Sequence, residues 1–174
     1  EDDSEFDKWL EESNSLGVVG YRRVLHTEPD ELSQQNNFRD NISKIGKIGK
    51  PFDLCFREDQ LKIAIELSKF CDEMDLILNH CGVPAIASGK MNEWKKDITA
   101  LSELKHVTCK LSGIMAYCAP GTASYETIKP YVDHVIDSFG PDRMVWGSDW
   151  PVVNLAKGLP EWLAVTETIM SNLS

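Results

Sequence analysis

Five short apolar runs rich in branched residues alternate along this chain with longer stretches of helical spacing, and that rhythm limits the fold more than any other feature. The runs are "GVVGYRRVL" (17–25), "PFDLCF" (51–56), "MDLILNHCG" (74–82), "HVTCKLSGI" (106–114) and "RMVWGSDW" (143–150). Each has strand length and is bounded by glycine, proline or polar residues. Between them, Phe38, Ile42, Ile45 and Ile48 fall near one helix face that closes at Gly49. Leu61, Ala64, Ile65, Ser68 and Cys71 form a second stripe, and Trp94, Ile98 and Leu101 a third. Ile128, Val132, Val135 and Phe139 form a fourth, ending at Gly140. A last helix is expected from Pro160 through Trp162, Leu163, Thr166, Ile169 and Met170, and an opening one over Phe6, Trp9 and Leu10. Strands joined by crossover helices predict right-handed βαβ units and a parallel sheet covered on its faces. No repeat, low-complexity segment or linker divides the chain, so residues 1–174 read as one domain.

Composition narrows the function classes. A chain of 174 residues, 42% hydrophobic and 26% charged, can bury a sizeable core. A net charge of −10 and a pI near 4.8 argue against nucleic acid or an anionic membrane as partner, since both require basic patches. No apolar run approaches the roughly 18 residues that span a bilayer. The acidic start "EDDSEFDKWLEE" is not the basic and then apolar pattern of a signal peptide. Five cysteines, odd in number and without a CxxC pair, read as reduced thiols in a cytoplasmic protein.

Period-two alternation sorts the strand ends. In the last run Val145, Gly147 and Asp149 share a face; in the third, Leu76, Leu78, His80 and Gly82 do, with Cys81 opposed. Gly20, Arg22, Val24 and His26 align in the first, Asp53 and Cys55 in the second, Lys110 and Ser112 in the fourth. Several strands therefore bring an ionisable group towards one layer near their carboxyl ends. In parallel α/β folds, ligands bind at that edge. An ionised carboxylate at the end of an apolar run is costly to desolvate without a partner, which marks Asp149 as a site residue.

The segments "VGYRRVLHTEPDEL", "FDLCF", "LILNHCGVP", "CKLSGI" and "FGPDRMVWGSDWPV" occur in that order. Together they closely resemble the amidohydrolase-related proteins, predicted metal-dependent hydrolases of the TIM-barrel fold that include sugar-acid lactonases. The resemblance runs from about residue 17 to 165. It implies a (β/α)8 TIM barrel of the amidohydrolase superfamily, present here as about five βα units that correspond to the fourth to eighth strands. Such barrels take about 250 residues. The family's first strand carries a His-x-His pair, whereas His26, His80, His106 and His134 are all isolated. The amino-terminal strands with that pair are therefore expected to be missing from this chain.

The resemblance implies hydrolysis of a sugar-acid or related carboxylated lactone, with Asp149 as general base on water, or as a metal ligand with His80 where a divalent metal such as zinc is bound. Catalysis without metal is also implied for some relatives. Asp149 could instead cap the turn before Pro151, and His80 could be a hydrogen-bonded core histidine; strand-end position and the resemblance favour catalytic roles. Arg22 suits either a structural ion pair or a substrate carboxylate held bidentately. Lys110, Ser112, His26, Asp53 and Tyr117 are further candidates for substrate binding, Tyr117 by covering the site. A Cys81–His80 dyad is rejected because alternation sends the two apart. Arg143, ahead of its strand, reads as structural; Trp9, Trp94 and Trp162 read as helix core, and Trp146 as facing the helix layer. The alternatives are a decarboxylase of the same superfamily and a non-catalytic fragment or binding module. The expected partners are a small-molecule substrate and a second copy, joined through open sheet edges.

Overall fold

The computed structural model describes residues 5–171. The five apolar runs form one sheet, all parallel, in the order β1-β2-β3-β4-β5. The strands are β1 (Tyr21–Val24), β2 (Phe52–Cys55), β3 (Leu76–Leu78), β4 (Val107–Leu111) and β5 (Met144–Trp146). Around them lie α1 (Phe6–Ser15), α2 (Asn36–Lys47), α3 (Leu61–Phe70), α4 (Asn92–Glu103), α5 (Tyr125–Phe139) and α6 (Gly158–Ser171). Each strand is shorter than its apolar run, because the chain leaves the extended conformation where the carboxyl-end turns begin.

Register shows which face is covered. Phe52, Leu76 and Val107 stand side by side and are fully buried, as are Leu54, Leu78 and Cys109. These rows pack under the helices with Phe38, Ile42, Ile45, Leu61, Leu67, Ile98 and Leu101. Each such side chain stabilises the fold by on the order of 1.5–3 kcal/mol. The rows between them, Asp53–Ile77–Thr108 and Lys110–Val145, lie on the opposite, more open face. Leu76 and Leu78 therefore belong to the helix side and do not share a face with the site, which corrects the expected grouping of the third strand.

The helix stripes need smaller corrections. Trp9 is 46% exposed and lies at the rim against Phe6 and Tyr21, so it is not core. In α6, Leu163 and Met170 are exposed and Val165 is buried in their stead, beside Trp162 and Ile169. Ile48 lies just past α2 and is partly exposed, and Ile65 is only half-buried beside the deeper Leu67. Trp146 does face the helix layer: it stacks on Trp162 at 6.5 Å and donates to Thr166 Oγ1 at 3.0 Å. Arg143 is structural, donating to the carbonyls of Ser102, Leu104 and Val107 at 2.8–3.3 Å while lying over Phe139.

Among the described residues β1 and β5 each lack one strand neighbour. Beside β5 runs an apolar groove of about 370 Å³ lined in part by Leu111, Met144, Trp146, Ile169 and Met170. Unpaired strand edges next to apolar surface template further pairing. The chain by itself is expected to self-associate, and a clean monomer by light scattering at micromolar concentration would refute that.

Candidate active site

The turn after β3 carries His80. The chain passes from Leu78 into a short 3₁₀ turn, Asn79–Gly82, in which His80 (φ 52°) and Cys81 (φ 55°) are both left-handed, followed by Val83 at φ 46°. A left-handed non-glycine residue costs on the order of 1–3 kcal/mol, and persists only where its surroundings hold it. Here Trp94 Nε1 donates to the Cys81 carbonyl at 2.9 Å, and the buried Cys81 thiol faces the Lys110 carbonyl at 3.6 Å. Continued alternation would send the His80 ring after Leu78 into the helix layer. The left-handed turn rotates it to the open face, so His80 reaches the site for a different reason from the one the sequence suggested. Cys81 does lie away from it, fully buried.

The fourth non-glycine residue with positive φ among the described residues is Asp149, at 52°. It follows β5 by three residues. Gly147 N donates to Leu111 O at 3.1 Å, Trp162 Nε1 to Gly147 O at 2.9 Å, and Val153 N to Asp149 O at 3.0 Å, which pin the turn from both sides. All four strained positions thus lie at or beside the two residues singled out for chemistry.

Their side chains meet. His80 Nδ1 lies 3.7 Å from Asp149 Oδ2 and 2.8 Å from Ser112 Oγ. Both neighbours address the same ring nitrogen, which leaves Nε2 for another partner. A serine–histidine–aspartate relay needs its serine and carboxylate on opposite nitrogens, so Ser112 is not placed as a nucleophile. Ser112 is 1% exposed and touches the imidazole; it sits behind the site. Burial lowers the His80 pKa below the ordinary histidine value, with Lys110 and Arg22 adding to it against the opposing charge of Asp149. The ring is therefore neutral at pH 7.

The other candidates distribute around this pair. Lys110 Nζ spans β3 to reach Asp53 Oδ2 at 2.8 Å, so its ammonium and that carboxylate satisfy each other. Arg22 stands opposite Asp53 in register, is exposed, and has no ion-pair partner among the described residues. His26 Nδ1 approaches the Cys55 thiol at 3.4 Å; burial, then Arg57 and Arg22, lower its pKa. Tyr117 closes the 3₁₀ turn after β4, half-buried, with its phenol held protonated by burial and by the nearby Asp149 charge. Two residues escaped the sequence reading. Asn79 is fully buried with neither side-chain polar atom hydrogen-bonded to nitrogen or oxygen among the described residues, and the Cys55 thiol is its polar neighbour. Gly113 sits against the His80–Asp149 pair, and its only sequence signal is a glycine near the end of the fourth apolar run, directly after Ser112.

Among the described residues no three or more His, Cys, Asp and Glu side chains gather where one ion could sit. Protein-bound zinc takes about three or four protein ligands. His80 and Asp149 by themselves do not complete such a site.

A family model described as Amidohydrolase matches residues 1–173. The chain belongs to the amidohydrolase family. This amidohydrolase chain is 33% identical over 119 residues to an L-fucono-1,5-lactonase of Burkholderia ambifaria, covering 67% of the chain and 41% of that protein. It is 29% identical over 162 residues to an L-fucono-1,5-lactonase of Burkholderia multivorans, covering 85% and 54%. A solved amidohydrolase of Burkholderia multivorans with bound zinc superposes with a TM-score of 0.89 at 26% identity, covering 95% of this chain and 61% of that one. The chain thus spans about half the length of the curated relatives it matches, and the open sheet is a partial barrel. No helix of the described residues is long and apolar enough to cross a membrane.

Proposed function

We propose that this amidohydrolase chain carries the water-activating residues of a lactonase that opens a sugar-acid or related carboxylated lactone. The observation behind this reading is the Asp149–His80 pair, 3.7 Å apart at the carboxyl ends of parallel strands, on the same face as Arg22, which no described carboxylate pairs. Asp149 takes a proton from water, and the resulting hydroxide adds to the lactone carbonyl. Collapse of the adduct breaks the ring C–O bond, and the departing oxygen takes the proton back to give a hydroxy acid. Neutral His80, steadied at Nδ1, turns Nε2 to the reacting group. Arg22 holds the anionic carboxylate. The naming of relatives as L-fucono-1,5-lactonases supports a sugar lactone as substrate. A divalent metal such as zinc, which the solved neighbour binds, fits this reading only with ligands beyond the described residues. The five free cysteines support a cytoplasmic setting.

The test is acid release from a panel of five- and six-membered sugar lactones by the full-length protein, followed with a pH indicator. Failure to open any of them would remove this reading. Arg22→Ala is expected to raise KM by roughly tenfold or more with kcat little changed, as loss of a charge-assisted ground-state contact does. An equal fall in kcat and kcat/KM would instead place Arg22 on the transition state.

A further inference from the structure

Strand β4 runs Val107–Leu111, and the next two residues, Ser112 and Gly113, lie between the turns that carry His80 and Asp149. Gly113 is left-handed, with φ 64°. A Cβ built on it would overlap Asp149 Oδ2 and lie 3.0 Å from His80 Nδ1 and 3.3 Å from Asp149 Cγ. Real Cβ atoms do not sit that close, so any side chain here must push the carboxylate, the imidazole, or both out of place. The neighbouring β5 turn is fitted in the same way, since a Cβ on Gly147 would meet Ser112 Cβ at 3.2 Å. Left-handed Gly82 is also crowded, by the Leu61 side chain at 2.9 Å, but around Gly89, at φ 68°, nothing lies within 4 Å of an added Cβ.

We propose that Gly113 is a positioning residue, whose missing side chain sets the separation of Asp149 and His80 while Ser112 steadies the ring from behind. The inference rests on the reading that this pair is the reactive one. It adds a third element, β4, that decides the geometry without touching substrate. The physical reason is that both reactive residues stand on strained turns of other strands, and their distance is limited by whatever lies between them. A hydrogen atom there permits 3.7 Å. A methyl group does not.

The experiment compares Gly113→Ala with Gly89→Ala in the full-length protein. Both substitutions place alanine at a left-handed position, so both carry the same backbone cost, but only the first carries the clash. Gly113→Ala is expected to lower kcat for lactone opening by about tenfold or more with KM nearly unchanged, as a misplacement of about 1 Å does. In an Asp149→Asn background it should cost almost nothing further, because the two act as a unit. Gly89→Ala should leave kcat within about twofold. A readout free of any activity runs alongside: the His80–Asp149 coupling in urea unfolding, from single and double alanine variants of the pair. About tenfold in the unfolding constant is expected in the parent protein, and none in the Gly113→Ala background. If the protein opens no lactone, the functional reading fails and this coupling still decides the role of Gly113. Should Gly113→Ala not fold, the double variant Gly113→Ala, Asp149→Gly should fold, since the overlapping carboxylate is gone. Equal behaviour of Gly113→Ala and Gly89→Ala, or failure of that double variant to fold, would overturn the proposal.

Discussion

Asp149→Asn in the full-length protein is expected to lower kcat by about 10² or more while leaving the fold intact, the span that general-base catalysis contributes. The amide matches the carboxylate in shape and can still lie beside His80, but it cannot accept the proton of water. The side chain is only 16% exposed, and among the described residues the basic group within 4 Å of it is the neutral His80 ring, so urea unfolding should shift by less than about 1 kcal/mol. The check is kcat and the unfolding midpoint on the same sample. Full activity would remove Asp149 from the role of base, and loss of activity together with loss of the fold would make it structural.

The largest effect on stability is expected from Trp94→Ala. Trp94 is 2% exposed, packs against Tyr131 at 5.3 Å and His134 at 5.6 Å, and donates to the Cys81 carbonyl. Removing a buried tryptophan of this size costs about 3–5 kcal/mol, a large part of the roughly 5–15 kcal/mol of a typical domain. The same deletion frees the carbonyl that pins the left-handed turn, so His80 should lose its orientation as well. Trp94→Phe separates the two effects: it keeps most of the packing and loses the hydrogen bond, for about 1–2 kcal/mol. If Trp94→Phe were as stable as the parent by urea unfolding, the indole N–H would not be what holds the turn.

Periodicity made the five strands and six α-helices of the described residues legible, because burial of one face repeats every two residues in a strand and about every 3.6 in a helix. Strand order and direction followed, since each connection contains a helix long enough for a crossover. The place of Asp149 and His80 at the carboxyl edge of the sheet was legible from their position at the ends of apolar runs. The face of the third strand was not. Leu76 and Leu78 lie under the helices, and alternation carried one residue too far sends His80 with them. Trp9 also escaped, because an aromatic on a helical stripe reads as core whether it is central or at the rim, and Trp9 is at the rim.

What the sequence by itself determined is therefore the βα rhythm, the parallel sheet, the edge at which the ionisable strand-end residues gather, and the acidic balance of the chain. These are properties of spacing and composition, which one stretch of chain carries alone. Only the tertiary structure decided that the His80 ring turns back through two left-handed residues, and that Ser112 supports the ring from behind. It also decided that Lys110 is engaged by Asp53 while no described carboxylate pairs with Arg22, and that Gly113 stands against His80 and Asp149. Each of these depends on contacts between separate strands, such as His80 with Ser112 at a separation of 32 residues. A turn that costs a few kcal/mol alone is chosen only when the atoms that hold it arrive from elsewhere in the fold.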